Sequence, residues 1–494
     1  MSTLALTQAA PTETPSEKVT RRFEMTWQNT RTPLLFLLCM TAVGLKFYPA
    51  LAVMFGIMAA SWRRDRYSFL VQLMIAYGGF LFYEGPTLSR TIFMLPVALF
   101  GFIMVKKTPM IKKALWAETF YFAALCIVAW KSLEPISHQI PVMSNFLTFC
   151  FFVIPLMIFS GREFSFEKFF RTLFPYTILV CVFYCLDYFI FSGFVMLPFA
   201  HGSQSVFWDL DARPFHFLFR RINCFGLYLL VPLIFPVSRG WKLPKWCWLV
   251  VVGALAASQT FTLITGLIFG FIISQGSARQ YFKYILIGTG FFVALYAIDL
   301  GLAGGNIMVE KSPMRVVSQV NQIIGFGNIQ DEEDLARAGS DRMAQALPKL
   351  ELIDELDMEM FGFGFLHPEH TTNDLFYIHN PFYIDVSQAD ELATGVEITA
   401  IQLYLNMGIF GVVCHVLWLW FLWMIVRKKP MAKYFLCVVA VFLWLGIGGY
   451  SGMIQQSGQL IASVVFAGIL LRDEVRPVNR EAIARGAFEE QAVN

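Results

Sequence analysis

Residues 402–426 read QLYLNMGIFGVVCHVLWLWFLWMIV and run straight into RKKPMAK (427–433). The first stretch carries no charge. As a helix it extends about 38 Å, enough to cross a hydrocarbon core of ~30 Å. The basic cluster behind it (Arg427, Lys428, Lys429 and Lys433) marks that end as cytoplasmic, because short cytoplasmic loops are enriched in Lys and Arg. This pairing of apolar run and basic stop sets the class as an integral membrane protein.

Similar runs recur along the chain. Spans are expected near 33–46, 48–62, 67–83, 92–105, 114–130, 146–161, 173–191, 225–238, 247–258, 260–275, 284–301, 402–426, 434–451 and 456–471. The expected fold class is all-α: a polytopic transmembrane bundle of about fourteen spans with one large, partly helical extracytoplasmic loop. Composition agrees, with 57% hydrophobic and only 15% charged residues, 51 Phe and 12 Trp. A soluble domain of 494 residues needs more charge to cover its surface.

The net charge of +3 hides an asymmetry. With two spans in 33–62, the cytoplasmic loops carry Arg63, Arg64 and Arg66; Lys106, Lys107, Lys112 and Lys113; Arg162, Lys168 and Arg171; Arg239, Lys242 and Lys245; Arg279 and Lys283. One span fewer at the start would invert every later loop. The division is then a cytoplasmic tail at 1–32, about eleven spans over 33–301, a periplasmic loop at 302–398, about three spans over 399–471 and a cytoplasmic tail at 472–494. The N-terminal tail, with Lys18, Arg21, Arg22 and Arg31, is expected to be retained rather than cleaved. In the 302–398 loop acidic residues outnumber basic ones about threefold, the mark of a solvated lobe. Its segments RAGSDRMAQALPKLELIDEL and GVEITAIQLYLNMGIFGVV have helical spacing. The nine cysteines lie in or beside apolar runs without CxxC spacing and read as small buried hydrophobes.

Two constellations could carry chemistry. The first is DARPFHFLFRRINCFG (211–226), where Arg213, Arg220 and Arg221 stand at the outer mouth of a span. Guanidinium forks suit phosphate oxygens. Snorkelling to the interface, with pairing to Asp209 or Asp211, is the alternative. The second is the large loop. There His379 is a candidate general base, with Glu397 as the alternative carboxylate; a loop histidine is otherwise an ordinary surface residue. His367, Glu369 and His370 form HPEH, whose proline opposes the helix a metal pair would need, so no metal or cofactor is expected. No phosphate-loop or GxSxG motif is present, and Glu84 stands alone in the first outer loop.

These pieces together resemble the O-antigen polymerase and O-antigen ligase superfamily of bacterial envelope enzymes. The resemblance covers about residues 211–415. It comprises Arg221 to Gly226, the SQTFTLITG span (258–266) and the Ser340–Asp341–Arg342 element. It continues with the GFG segment (362–364), the His379–Asn380 pair, Val396–Glu397 and the GIFG stretch (408–411). It implies a metal-independent glycosyltransferase with a polyprenyl-diphosphate-linked oligosaccharide as donor. Arg221 would hold the diphosphate, His379 would serve as base, and Arg342 would act in the loop. Where the family often has an arginine in the second span, this chain reads Thr260–Phe261–Thr262, and Arg213 or Arg220 stands in. Preorganised arginines could stabilise the leaving diphosphate without a metal.

The implied function is polymerisation of lipid-linked repeat units into an O-antigen, capsule or exopolysaccharide at the bacterial inner membrane. The alternatives are a ligase transferring the finished glycan to lipid A-core or protein, and a glycolipid transporter or flippase. Expected partners are the lipid-linked donor, the bilayer and other assembly proteins, with no nucleic acid.

Overall fold

The computed structural model describes residues 22–44, 47–81, 98–105, 108–143, 146, 148–186, 229–258, 261–275, 342–367, 370–379, 390–396, 399–448 and 460–472. The helices are α1 (Trp27–Gly44), α2 (Pro49–Arg64), α3 (Arg66–Leu81), α4 (Pro109–Lys131), α5 (Ile136–Met143), α6 (Thr148–Ile158) and α7 (Phe166–Cys185). They continue with α8 (Val231–Ser238), α9 (Lys245–Ser258), α10 (Phe261–Gln275), α11 (Arg342–Glu355), α12 (Thr399–Val426), α13 (Ala432–Gly448) and α14 (Leu460–Arg472). Strands β1 (Tyr377–His379) and β2 (Asp390–Leu392) form an antiparallel ribbon, and an isolated parallel bridge joins Arg22 and Lys242.

The sequence explains the helix starts. Thr108 caps α4 by accepting from Ile111 N, and Pro109 follows at the first helical position, where its missing N–H costs nothing. Ser165 caps α7 in the same way, accepting from Lys168 N.

The expectation of about fourteen spans is corrected. Among the described residues, three helices are long and apolar enough to cross a membrane: α4, α7 and the Ala400–Val426 part of α12. Apolar run length is not helix length. α6 has 11 residues and contains Pro155; α8 has 8 and contains Pro236. At 1.5 Å per residue such segments fall well short of a ~30 Å core. α1 reaches 18 residues but opens on the polar stretch Trp27–Thr32. The expected spans near 92–105, 225–238, 284–301 and 434–451 fall wholly or partly outside the described residues.

α12 packs along α4, α1–α3 and α7 form a second group, and α10 packs on α13 and α8. Gly270 on α10 lies so close to Val441 and Cys437 of α13 that a Cβ there would collide with Val441. The outward faces are apolar. Trp116, Phe122 and Trp130 on α4, and Ile409, Val416 and Trp420 on α12, are all exposed. Such a surface is explained by lipid contact, with tryptophans toward both ends of α4 as interfacial anchors. The chain is therefore membrane-associated, with a few helices able to cross a bilayer.

The two ends of the α4–α12 pair differ. At the end where α12 closes on Arg427–Lys429, Tyr434 meets Phe166, Phe170 and Phe235. Phe170 meets Trp241, Trp241 meets Phe23, and Phe23 N donates to Lys242 O. Arg66 on α3 donates to the Ile158 carbonyl that closes α6. The basic connections thus gather at one end. At the other end sits a lobe built from α11, the ribbon and the start of α12, with its own core of Ala346, Ile353, Phe363, Leu366, Phe376 and Leu405.

Candidate functional site at the lobe junction

α12 is not continuous. Gly408 has φ +60° and ψ −169°, a conformation L side chains rarely adopt, and it divides the helix into 399–407 and 409–426. The 18 residues beyond it still span about 27 Å. A break frees backbone groups that lipid cannot satisfy. The FGFG segment (361–364) and the two residues before it satisfy them. Phe363 N donates to Leu405 O at 2.7 Å and Gly364 N to Asn406 O at 3.0 Å. Returning, Ile409 N donates to Glu359 O and Phe410 N to Met360 O. Gly362 (φ +72°) and Gly364 (φ +89°) permit the approach: a Cβ at either would collide with the α12 backbone or with Ser132 and Gln139. The expected continuous helix over 395–413 is corrected accordingly.

The connection between α4 and α5 clamps the lobe from the other side. Ser132 Oγ donates to Phe363 O. Gln139 Oε1 accepts from Phe365 N, while its Nε2 donates to Ala129 O and Glu134 O. Glu134, only 3% exposed, accepts from Thr372 N at 3.0 Å and Asn373 N at 2.9 Å through Oε1, and pairs with His138 Nδ1 at 3.1 Å through Oε2. Burial alone would raise its pKa. The His138 ring and the Asn373 and Thr372 amides outweigh burial and hold the carboxyl below its ordinary value. A surface cleft of about 580 Å³ lies over this clamp.

The clamped segment leads directly to the expected base. Asn373 caps a 3₁₀ turn (Asp374–Phe376), accepting from Leu375 N, and β1 follows with His379 at its end. The ribbon register sets His379 opposite Asp390. Deeper in the lobe, Lys349 of α11 is 2% exposed and donates to Gly395 O at 3.0 Å.

Arg342 opens α11. Arg213, Arg220, Arg221 and Glu397, expected to act with His379, lie outside the described residues. His367 and His370 are neighbours, with ring centroids 4.9 Å apart; among the described residues no group of three or more His, Cys, Asp or Glu is placed to hold a metal ion.

Sequence reading missed three groups. Glu134 sits in a connection too short to attract notice and Gln139 in the short helix α5 behind it; only the charge of Glu134 in an apolar neighbourhood was a signal. The third is in the spans: Glu118 accepts from Trp418 Nε1 at 3.2 Å, and His415 Nδ1 lies 2.9 Å from Tyr121 OH, all buried between α4 and α12. Ionisable residues at membrane depth are costly and face partners.

No known protein family, no curated protein and no solved structure matches the chain. The expected function as a many-span polysaccharide polymerase, with its ligase and transporter alternatives, is set aside. It calls for a many-span bundle, where the described residues hold three helices able to cross a membrane.

Proposed function

We propose that the chain is a membrane-bound transferase that works without a metal at the lobe junction. Its donor is a lipid-linked diphosphate of the polyprenyl type, reached from the bilayer. The observation that carries the reading is the Glu134 clamp, which ties the His379-bearing segment to the end of α4. A base must sit within hydrogen-bond reach of the hydroxyl it activates, and that demands a fixed strand rather than a free loop. The antiparallel pairing with β2, which sets His379 opposite Asp390 in the register, holds the backbone of that position in place. The basic end lies away from the lobe, so the positive-inside tendency favours a lobe on the non-cytoplasmic side, which in a bacterium is the periplasmic face of the inner membrane.

The test is turnover of a labelled polyprenyl-diphosphate-linked donor by the reconstituted protein, followed as release of polyprenyl diphosphate. Turnover should persist in EDTA and fall ~10²–10⁴-fold in His379→Ala, the usual range for a lost general base. Turnover abolished by EDTA and restored by a divalent ion overturns the metal-free mechanism. Unchanged turnover in His379→Ala removes His379 from it.

A further inference from the structure

A second site lies at the opposite, basic end. A cavity of about 670 Å³ opens between the start of α1, the α2–α3 turn and the first turns of α7. Three guanidinium-bearing residues line it: Arg31, Arg64 and Arg171. Arg171 is engaged by Glu167 at 3.1 Å. Arg31 and Arg64 are exposed and have no polar partner among the described residues. Two acids also line the cavity. Asp65 is occupied in capping α3, accepting from Tyr67 N and Ser68 N, which leaves Glu24 against the arginines.

Hydroxyls add further donors. Ser61, Ser68 and Tyr176 all line the cavity and lie 3.0, 3.3 and 2.8 Å from Gln72 Nε2, sharing its two hydrogens. Gln72 is fully buried, so it holds the three hydroxyls in place from behind. A hydroxyl that has accepted from an amide still has its own hydrogen to give. One such hydrogen joins Ser68 and Tyr176 at 3.1 Å, which leaves two hydroxyl hydrogens among the three residues for another acceptor. Guanidinium and hydroxyl donors around one space are what a phosphate needs. The rest of the lining is mixed: Gln28, Asn29, Thr32 and Thr172 are polar, while Leu35, Ile57, Ala60 and Phe174 form an apolar wall. A free phosphate ester has nothing to place there, whereas a lipid has its first chain carbons.

We infer that this cavity binds the phosphate of an anionic membrane lipid, with Arg31 and Arg64 as the charged contacts and the Ser61–Ser68–Tyr176 hydroxyls as neutral donors. The site is separate from the lobe junction, and its occupant does not depend on what the lobe acts on.

The experiment measures lipid retention by the full chain in neutral detergent, with phosphatidylglycerol, phosphatidylcholine and glycerol phosphate as probes. Phosphatidylglycerol should bind and raise the unfolding temperature; the other two should do neither. In the Arg31→Gln/Arg64→Gln variant, phosphatidylglycerol binding should fall about tenfold or more, since each basic side chain near an anionic lipid is worth ~1 kcal/mol. Arg63→Gln, one residue from Arg64 but not part of the lining, should bind like the parent. The double variant should unfold at the parental temperature in phosphatidylcholine, because neither arginine supports the fold. Equal loss in Arg63→Gln overturns the site in favour of general surface charge. An equal effect of glycerol phosphate overturns the lipid assignment in favour of a soluble phosphate ester, and unchanged binding in the double variant overturns both.

Discussion

The lobe junction and the basic end are both polar regions at the ends of apolar helices, but they are built on opposite plans. At the junction the backbone groups are spent on one another, while the buried side-chain amide of Asn406 has no partner among the described residues. The broken α12 exchanges four backbone hydrogen bonds with residues 359–364, and Glu134 and Gln139 are used on both sides. At the basic end the fixed part is aromatic, with Phe23, Trp241, Phe170 and Tyr434 in a chain of tilted and edge-on contacts, while Arg31 and Arg64 have no polar partner among the described residues. The first plan holds one geometry and tolerates no change of shape. The second leaves charge available to something that is not part of the chain.

The comparison breaks most readily at the glycines. Gly364→Val puts a branched side chain into Ser132 and Gln139 at a φ that only glycine adopts comfortably. The expected cost to lobe docking is about 3 kcal/mol or more, from strain and overlap together. Limited proteolysis should then cut the lobe rapidly; a cleavage rate like the parent's would mean the FGFG contact does not hold it.

Next comes Glu134. Removing it in Glu134→Ala leaves two part-buried amides without their acceptor, at a cost of about 2 kcal/mol. The carboxyl has a depressed pKa in the docked state, so its contribution is full above the ordinary carboxyl value and is lost as pH falls through the lowered one. Hydrogen exchange over 370–379 should therefore quicken in acid below about pH 4.5 in the parent. In Glu134→Gln it should be fast already and less sensitive to pH.

A smaller effect is expected at the buried pair in the spans. His415→Phe loses the Tyr121 contact but keeps the ring packing beside Trp418, and should lower stability by about 0.5–2 kcal/mol, read as the unfolding temperature in detergent. A larger fall would point to a wider network around Glu118. The smallest effect belongs to the exposed Glu167–Arg171 pair on α7. Glu167→Gln should change stability by no more than about 0.5 kcal/mol. A destabilisation of several kcal/mol would make the basic end as tightly built as the lobe junction.

Part of this was legible in the sequence. The uncharged run at 402–426 is helical, and the helical spacing around Arg342 is α11. Of the basic loops flagged by their Lys and Arg, the described stretches beside Phe170, Trp241 and Tyr434 lie together, because those aromatic residues pack on one another; Lys106, Lys107, Arg279 and Lys283 lie outside the described residues. Helix length was not legible. Pro155 and Pro236 sit in runs whose hydropathy alone suggests continuity, and hydropathy does not record where a helix stops. Nor was the break at Gly408, since NMGIFG reads equally well as helix until the donors of FGFG are brought alongside. His379 stood out by its chemistry, but the residue that positions its strand, Glu134, lies more than two hundred residues away and is visible only in three dimensions.

The central claim is that the lobe and the basic connections occupy opposite ends of membrane-crossing helices. It is tested most directly by labelling single engineered cysteines from one side of the membrane with an impermeant maleimide. The chosen positions are Glu355→Cys in the lobe and Lys168→Cys at the basic end, each compared with the unmodified parent. In intact spheroplasts Glu355→Cys should label fully and Lys168→Cys only after permeabilisation. Labelling of both positions from the same side would contradict the two-ended arrangement on which the account rests.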